Sequence, residues 1–137
     1  MYLYDDNNYV IASGGTAGYC AISKKENSKY ELEFIQAYLT HPFAEKLLSI
    51  IGSDFDNNYY SRGTNILDRF PLKIIDFEDK YQSKLYNDIV CNVRRIHEIN
   101  KSLDSKLSKS SKVVLLDEKN YLINNTEQIV TEVYNLV

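Results

Sequence analysis

The residues with the clearest chemical potential lie in one polar and aromatic stretch near the middle of the chain. Residues 58–72 read Asn-Tyr-Tyr-Ser-Arg-Gly-Thr-Asn-Ile-Leu-Asp-Arg-Phe-Pro-Leu. An arginine can form paired hydrogen bonds with an external group, and adjacent tyrosines can stack on flat surfaces. A polar loop held between two regular elements suits contact with a partner better than core packing. This stretch is therefore the first candidate for a binding site.

The chain carries no arrangement of residues that is typical of a catalytic or metal site. His41 and His97 lie far apart, and no cysteine or histidine stands at metal-ligand spacing. A Gly-x-Ser-x-Gly elbow is missing, and the Asn/Asp-Pro-Pro-Tyr/Phe motif of amino-methyltransferases is absent because Pro42 and Pro71 are the only prolines. We therefore expect no catalysis within these residues, no metal and no cofactor.

A second candidate segment is the glycine-rich stretch near the N-terminus. Gly14, Gly15 and Gly18 invite comparison with phosphate-binding loops, but neither a Gly-Lys-Ser/Thr run nor a Gly-x-Gly-x-x-Gly spacing is present. Apolar residues on both sides predict two short strands within residues 8–22. A hairpin or a flexible interaction loop is favoured over a nucleotide site.

Length and composition fit one domain. The chain has 137 residues, of which 44% are hydrophobic and 26% are charged. No apolar run reaches the roughly 20 residues that cross a bilayer, and two cysteines outside any Cys-x-x-Cys pair fit a cytoplasmic protein without membrane contact. A net charge of -3 argues against a stand-alone DNA-binding protein, but less against a module within a larger one.

Hydrophobic periodicity predicts the elements that must position the candidate stretch. Apolar residues at helical spacing predict one helix over residues 31–39 and another over residues 42–51, with Gly52 supplying a positive φ at its end. Residues 53–58 are predicted to form a loop, and residues 72–75 a strand after Pro71. Two helices thus precede the stretch and a strand follows it.

The second half of the chain predicts one long helix from residue 79 to about residue 108. Its apolar residues recur at near-heptad spacing, which is typical of a helix that packs along another. Residues 102–111 are predicted to fray into a linker, and residues 113–116 and 121–123 to form short strands. Thr126 is predicted to cap a last helix. These elements give an α+β fold with a small mixed β-sheet, packed helices and one long helix in the C-terminal half.

Three short motifs, in their order along the chain, point to a known family. Residues 30–41 take the place of a helical Tyr-Leu-Leu-x-x-Leu-Asn-Ser run, with Thr-His where Asn-Ser is usual. Residues 67–72 match a Leu-x-x-(Leu/Phe)-Pro-(Ile/Leu) exit, and residues 129–136 look like a closing Val-Tyr-x-Leu-Tyr-Gly-Leu helix. Together they resemble the TaqI-like C-terminal specificity domain of adenine-specific DNA methyltransferases and fused restriction-modification enzymes, over roughly residues 8–136.

The resemblance implies a non-catalytic module that reads a DNA sequence. A methyltransferase or nuclease domain, in the same chain or a partner chain, would then act on the DNA. Within one domain, residues 1–78 would form the target-recognition-like α+β region, residues 79–110 a connecting helix, and residues 111–137 strands and a helix that pack back. The chain opens just upstream of the resemblance, so we expect a fragment or a reduced gene product without the catalytic half.

Double-stranded DNA is the partner on this interpretation. Arg62 can pair with guanine and Asn65 with adenine, each match discriminating by about 1–3 kcal/mol. Serine and threonine hydroxyls and backbone amides would hold phosphates, the tyrosine pair would stack, and N-terminal lysines would add charge. The structural alternative for Arg62 is a solvated side chain in a surface turn. For Tyr59 and Tyr60 the alternative is that one of the two packs in the core. The predicted DNA-binding residues are Gly14, Gly15, Thr16, Lys24, Lys25, Tyr59, Tyr60, Ser61, Arg62, Gly63, Thr64, Asn65 and Arg69.

The alternative function is a structural or protein-interaction domain that docks on a methyltransferase or nuclease partner through its long helix. An exposed apolar stripe on that helix, beside a scattered set of basic residues, would favour docking. Basic residues gathered on one concave face would favour DNA. We expect the stripe to face another helix within the protein; its members are Ile89, Ile96, Ile99 and Leu103.

Overall fold

The computed structural model describes residues 22–52, 54–55, 59–60 and 64–136. Within these residues the regular structure consists of five α-helices and one pair of two-residue strands. In chain order the elements are α1 Leu32–Thr40, α2 Pro42–Ile51, β1 Asp54–Phe55, β2 Tyr59–Tyr60, α3 Thr64–Leu67, α4 Lys80–Leu103 and α5 Lys109–Tyr134.

The described part of the chain is helical, and the predicted α+β fold with a small mixed sheet is wrong. Its strand pairing is limited to β1 and β2, which run antiparallel. The predicted strand at residues 72–75 is an irregular segment, and those at residues 113–116 and 121–123 lie inside α5. A short apolar run cannot by itself distinguish a strand from a buried part of a helix. The predicted strands and loop of residues 8–21 lie outside the described residues.

α5 begins much earlier than predicted. The Ser108 hydroxyl accepts a hydrogen bond from the Ser111 amide over 3.1 Å, so the cap lies at Ser108. Residues 117–120 were predicted to form a turn, but they contain neither glycine nor proline and the helix continues through them. Thr126, the predicted cap, lies inside α5, where its hydroxyl donates to the Leu122 carbonyl over 2.7 Å.

The helices predicted on either side of the candidate stretch are confirmed as α1, α2 and α4. α4 begins after Asp79, whose carboxylate accepts a hydrogen bond from the Gln82 amide over 2.8 Å, and it ends earlier than predicted, at Leu103. Gly52 follows α2 with a φ of -80° and a ψ of 160°. The predicted positive φ is therefore wrong, because the chain leaves α2 in an extended conformation.

α4 and α5 lie side by side and antiparallel, and α1 packs against α4. The antiparallel register is marked by Asn92, which donates to the Asn125 side chain over 2.8 Å, and by Arg95, which pairs with Glu118 over 2.7 Å. The largest fully buried side chains of these helices and of α2 are Phe34, Leu48, Ile89, Ile99, Val130 and Val133.

An aromatic cluster lies at the centre of this packing. Phe34 is completely buried, and its ring centroid lies 5.6 Å from Tyr30, 5.9 Å from Tyr38 and 5.0 Å from Tyr86. Rings at such distances add to the stability given by burial. The chain has 12 tyrosines and no tryptophan, and the cluster explains part of this composition because its tyrosines supply core surface.

The hydroxyl groups of the same cluster hold the irregular segment that follows α3. The Lys73 amide donates to the Tyr38 hydroxyl over 3.2 Å, and the Ile75 amide donates to the Tyr30 hydroxyl over 2.8 Å. These amides therefore have partners without a neighbouring strand. This is the physical reason why an apolar run that predicted a strand forms none here.

Candidate nucleic-acid interface

The predicted binding stretch lies between α2 and the buried residues that follow α3. β1 and β2 pair with Asp54 opposite Tyr60 and Phe55 opposite Tyr59. The antiparallel pairing turns the chain back on itself immediately before α3. The described elements of this region, β1, β2 and α3, are thus very short, in contrast to the longer helices α2 and α4 that precede and follow them.

Both ends of the stretch are attached to the helical core. At the far end, Ile66 is 4% exposed and Phe70 is 9% exposed, so the chain that leaves α3 is packed inward. Between them, the Arg69 guanidinium donates a hydrogen bond to the Ile51 carbonyl over 2.9 Å. Ile51 is the last residue of α2. This bond therefore joins the helix that precedes the stretch to the part of the stretch that follows α3.

The structure places only some of the predicted DNA-binding residues. Asn65 in α3 is exposed, as a base-reading side chain must be. Lys24 forms an ion pair with Glu31 over 2.6 Å, while Lys25 is exposed. For Tyr59, Tyr60 and Thr64 the backbone alone is described; Gly14, Gly15, Thr16, Ser61, Arg62 and Gly63 lie outside the described residues.

Three of the basic residues whose side chains are described contact separate parts of the protein. Arg69 donates to the end of α2, Lys24 pairs with the residue before α1, and the Lys73 ammonium donates to the Leu136 carbonyl. The Lys24 charge is matched by a carboxylate, whereas the charges of Arg69 and Lys73 meet neutral carbonyl groups. These three cations are therefore held by contacts within the protein.

Arg94, on the face of α4 next to α1, forms a partly buried ion pair. Its guanidinium donates to the Glu33 carboxylate over 2.8 Å and lies 3.5 Å from Glu31. Glu33 is 5% exposed. Burial alone raises the pKa of the Glu33 carboxyl, but the hydrogen bond from Arg94 and the positive charges nearby hold that pKa below its ordinary value. Arg94 thus joins α4 to α1.

Arg95 forms an exposed ion pair between α4 and α5. It donates to the Glu118 carboxylate over 2.7 Å and to Glu98 over 3.1 Å. The hydrogen bond from Arg95 lowers the pKa of the Glu118 carboxyl. Both arginines of the Arg94-Arg95 pair are therefore matched by carboxylates of the same chain.

The two histidines lie far apart in the sequence, and both line one cleft of about 290 Å³ between α1, α4, α5 and the start of α2. The His97 Nε2 atom lies 2.9 Å from the Gln36 amide oxygen. Among the described residues no group of three or more histidine, cysteine, aspartate or glutamate side chains is placed to hold a metal ion. Sequence reasoning missed this cleft because its residues come from four separate helices.

His41 caps α2 and also contacts α5. Its Nδ1 atom accepts a hydrogen bond from the Phe43 amide over 3.1 Å, and its Nε2 atom lies 3.0 Å from the Thr131 hydroxyl. That hydroxyl donates to the Glu127 carbonyl over 2.9 Å, so Nε2 must carry the proton and His41 must be neutral. Burial lowers the pKa of His41, although the charge of Glu127 opposes the shift.

Half of the apolar stripe of α4 is not available for docking. Ile89 and Ile99 are 0% exposed, whereas Ile96 and Leu103 are half-buried. Exposed apolar side chains lie instead on the first half of α5: Val113, Val114, Leu116 and Tyr121. None of the helices in the described residues combines the length and the hydropathy needed to cross a membrane.

Comparison with known proteins connects the chain to restriction-modification. It is 38% identical over 88 residues to the type II restriction enzyme and methyltransferase RM.Eco57I of Escherichia coli. The similar region covers 64% of this chain but 9% of that protein, so the chain spans a small part of the relative's length. No family model matches the chain. No solved structure matches it either.

The similarity supports a restriction-modification-related protein and agrees with the resemblance to restriction-modification enzymes found in the sequence. It does not single out a TaqI-like specificity domain. That finer assignment, and the role of each residue in the candidate stretch, stay predictions.

Proposed function

We propose that this chain is the DNA target-recognition part of a restriction-modification protein and does not itself catalyse methyl transfer or cleavage. The observation that carries the proposal is the 38% identity to RM.Eco57I over 88 residues. The partners would be double-stranded DNA and a methyltransferase or nuclease domain, in the same chain or another. The exposed position of Asn65, beside a stretch attached at both ends, supports this choice.

In this proposal the candidate stretch reads the bases and a second segment supports the backbone of the DNA. Arg62 and Asn65 would each form paired hydrogen bonds to a base edge in the major groove. Phosphate contacts would fix the orientation of the protein without reading the sequence. The residues proposed for those contacts and for stacking are Gly14, Gly15, Thr16, Lys24, Lys25, Tyr59, Tyr60, Ser61, Gly63 and Thr64.

The charge of the chain decides the conditions under which binding is measured. The net charge is -3, and the Arg94 and Arg95 guanidinium groups are paired with carboxylates. Few phosphates can therefore be neutralised, and the affinity of the chain alone will be low at physiological salt. Selection of bound sequences belongs at low salt, where weak phosphate contacts still contribute.

The test is selection from a randomised duplex pool by the wild-type chain and by a variant carrying Arg62→Ala and Asn65→Ala. We expect the wild type to enrich one sequence and the variant to enrich none. A variant carrying Lys112→Ala and Asn124→Ala is the control, because it removes the same charge and amide from exposed positions of α5. Equal enrichment by all three proteins would refute the assignment of the stretch.

A second candidate function is docking on a protein partner, and the exposed apolar residues of α5 favour it. Val114 is 66% exposed and Tyr121 is 68% exposed on the same helix. Scattered exposed apolar residues are common, but several on half a helix fit an interaction surface. Co-sedimentation with a methyltransferase chain, lost in a Val114→Glu, Tyr121→Glu variant that still selects DNA, would support docking as an additional role.

A further inference from the structure

Arg69 joins two points of the chain that are 18 residues apart. Its Nη2 atom donates to the Ile51 carbonyl over 2.9 Å. The last carbonyls of a helix have no partner within the helix, and a positive charge there also complements the negative end of the helix dipole. The Arg69 side chain therefore supplies a donor to the carbonyl of the last residue of α2.

The backbone that carries Arg69 is firmly held. The Arg69 amide donates to the Ile66 carbonyl over 3.1 Å, and the neighbouring Phe70 amide donates to the Leu67 carbonyl over 3.1 Å. The Phe70 ring lies edge-on to the buried Tyr38, with centroids 6.2 Å apart. The guanidinium thus reaches α2 from a turn that is anchored in the core.

We propose that Arg69 is a positioning residue, which fixes β1, β2 and α3 relative to the end of α2 instead of contacting DNA. Its consequence for target recognition rests on the function proposed above, since Asn65 and the tyrosine pair lie between the two points that Arg69 joins. The inference replaces the direct DNA contact that the sequence predicted for Arg69.

The first arm of the test needs no DNA. Amide hydrogen exchange is measured for Gly52, whose amide donates to the Leu48 carbonyl over 2.8 Å, and for β1 and β2. We expect Arg69→Ala to increase these exchange rates about fivefold, because the two ends of the stretch are no longer joined. Arg69→Lys, which keeps a donor for the carbonyl, is expected to restore most of the protection. Arg95→Ala, which removes an arginine from an exposed ion pair with α5, is the control for loss of an arginine.

The second arm measures affinity for the selected duplex as a function of salt. A lost phosphate contact lowers the slope of log affinity against log salt by about 0.9, whereas a lost positioning contact leaves the slope unchanged. We expect Arg69→Ala to reduce selective affinity about threefold at an unchanged slope. Unchanged exchange rates in Arg69→Ala would overturn the proposal. A lowered slope beside them would show in addition that Arg69 contacts phosphate. Absence of DNA binding by the wild type would defeat the proposed function, while the exchange rates would still decide the role of Arg69.

Discussion

Two regions of this molecule are stabilised in different ways. The packing of α1, α4 and α5 contains side chains that are 0% exposed, among them Phe34, Ile89 and Val130. The stretch from β1 to α3 consists of elements of two to four residues, and its described buried side chains lie at its exit, at Ile66 and Phe70. Burial of apolar side chains stabilises the first region. The second region is held by the buried side chains at its exit and by the hydrogen bond from Arg69 to Ile51.

The difference shows how stability and recognition can be separated in one small domain. Side chains in the helical core are constrained by their neighbours, so a change there affects the whole fold. Loop segments are less constrained by packing, and binding residues are often found on loops held by a rigid scaffold.

Removal of the central aromatic ring should have the largest effect. Phe34→Ala deletes a fully buried side chain that contacts three tyrosines, and we expect it to lower the free energy of unfolding by about 3–5 kcal/mol. Urea denaturation followed by circular dichroism measures this loss. Asn65→Ala, at an exposed position of α3, is the control and should change stability by less than about 0.5 kcal/mol. Equal losses in the two variants would contradict the division.

Loss of the partly buried ion pair should have an intermediate effect. Arg94→Ala leaves the buried Glu33 carboxylate without the guanidinium that donates to it. We expect a loss of about 1–3 kcal/mol at pH 7, towards the lower end because the Arg94 side chain is 53% exposed and screened by solvent. Arg95→Ala is the control, and its exposed ion pair should contribute much less.

The same pair makes a prediction about acid. The folded-state pKa of Glu33 is lowered from its ordinary value of 4.5, so its stabilisation is present above that value and is lost as pH falls through the folded-state pKa. Without Arg94, burial should raise the pKa, and acid unfolding should begin at a higher pH. Identical acid-unfolding curves for wild type and variant would show that Arg94 does not hold the carboxylate charged.

The His41 cap should give the smallest effect and a different pH range. Because the folded-state pKa of His41 lies below its ordinary 6.5, the cap stabilises the protein above pH 6.5 and is lost as pH falls through the folded-state value. The loss should be at most about 1 kcal/mol. His41→Asn keeps a cap that does not titrate, so the melting temperature of this variant should no longer fall between pH 7 and pH 5 through loss of the cap. In His97→Gln, which retains the His41 cap, that fall in melting temperature should persist.

The sequence predicted those helices whose signals are local. α1, α2 and α4 have regular apolar spacing, and α4 has a capping carboxylate at Asp79. The first half of α5 was mistaken for strands because its run of Val and Leu is compatible with both structures. The strand expected at residues 72–75 failed because the hydroxyls of Tyr38 in α1 and of Tyr30, two residues before α1, accept hydrogen bonds from its amides, and no local pattern predicts that contact.

The site could be predicted only as a stretch of sequence. Its polar and aromatic composition is visible in the residues themselves, but the bond between Arg69 and Ile51 depends on tertiary packing. The contact between His41 and Thr131 joins residues 90 positions apart for the same reason. Since the fold is not the predicted α+β arrangement, the link to restriction-modification rests on sequence similarity and not on architecture.

Replacement of residues 56–63 by a glycine-serine segment of equal length tests whether this stretch serves recognition and not the stability of the fold. Thermal unfolding and selection from a randomised duplex pool would be measured on the same preparation. We expect a melting temperature close to that of the wild type, together with complete loss of sequence selection. A large fall in melting temperature, or selection of the wild-type sequence by the replaced chain, would contradict this expectation.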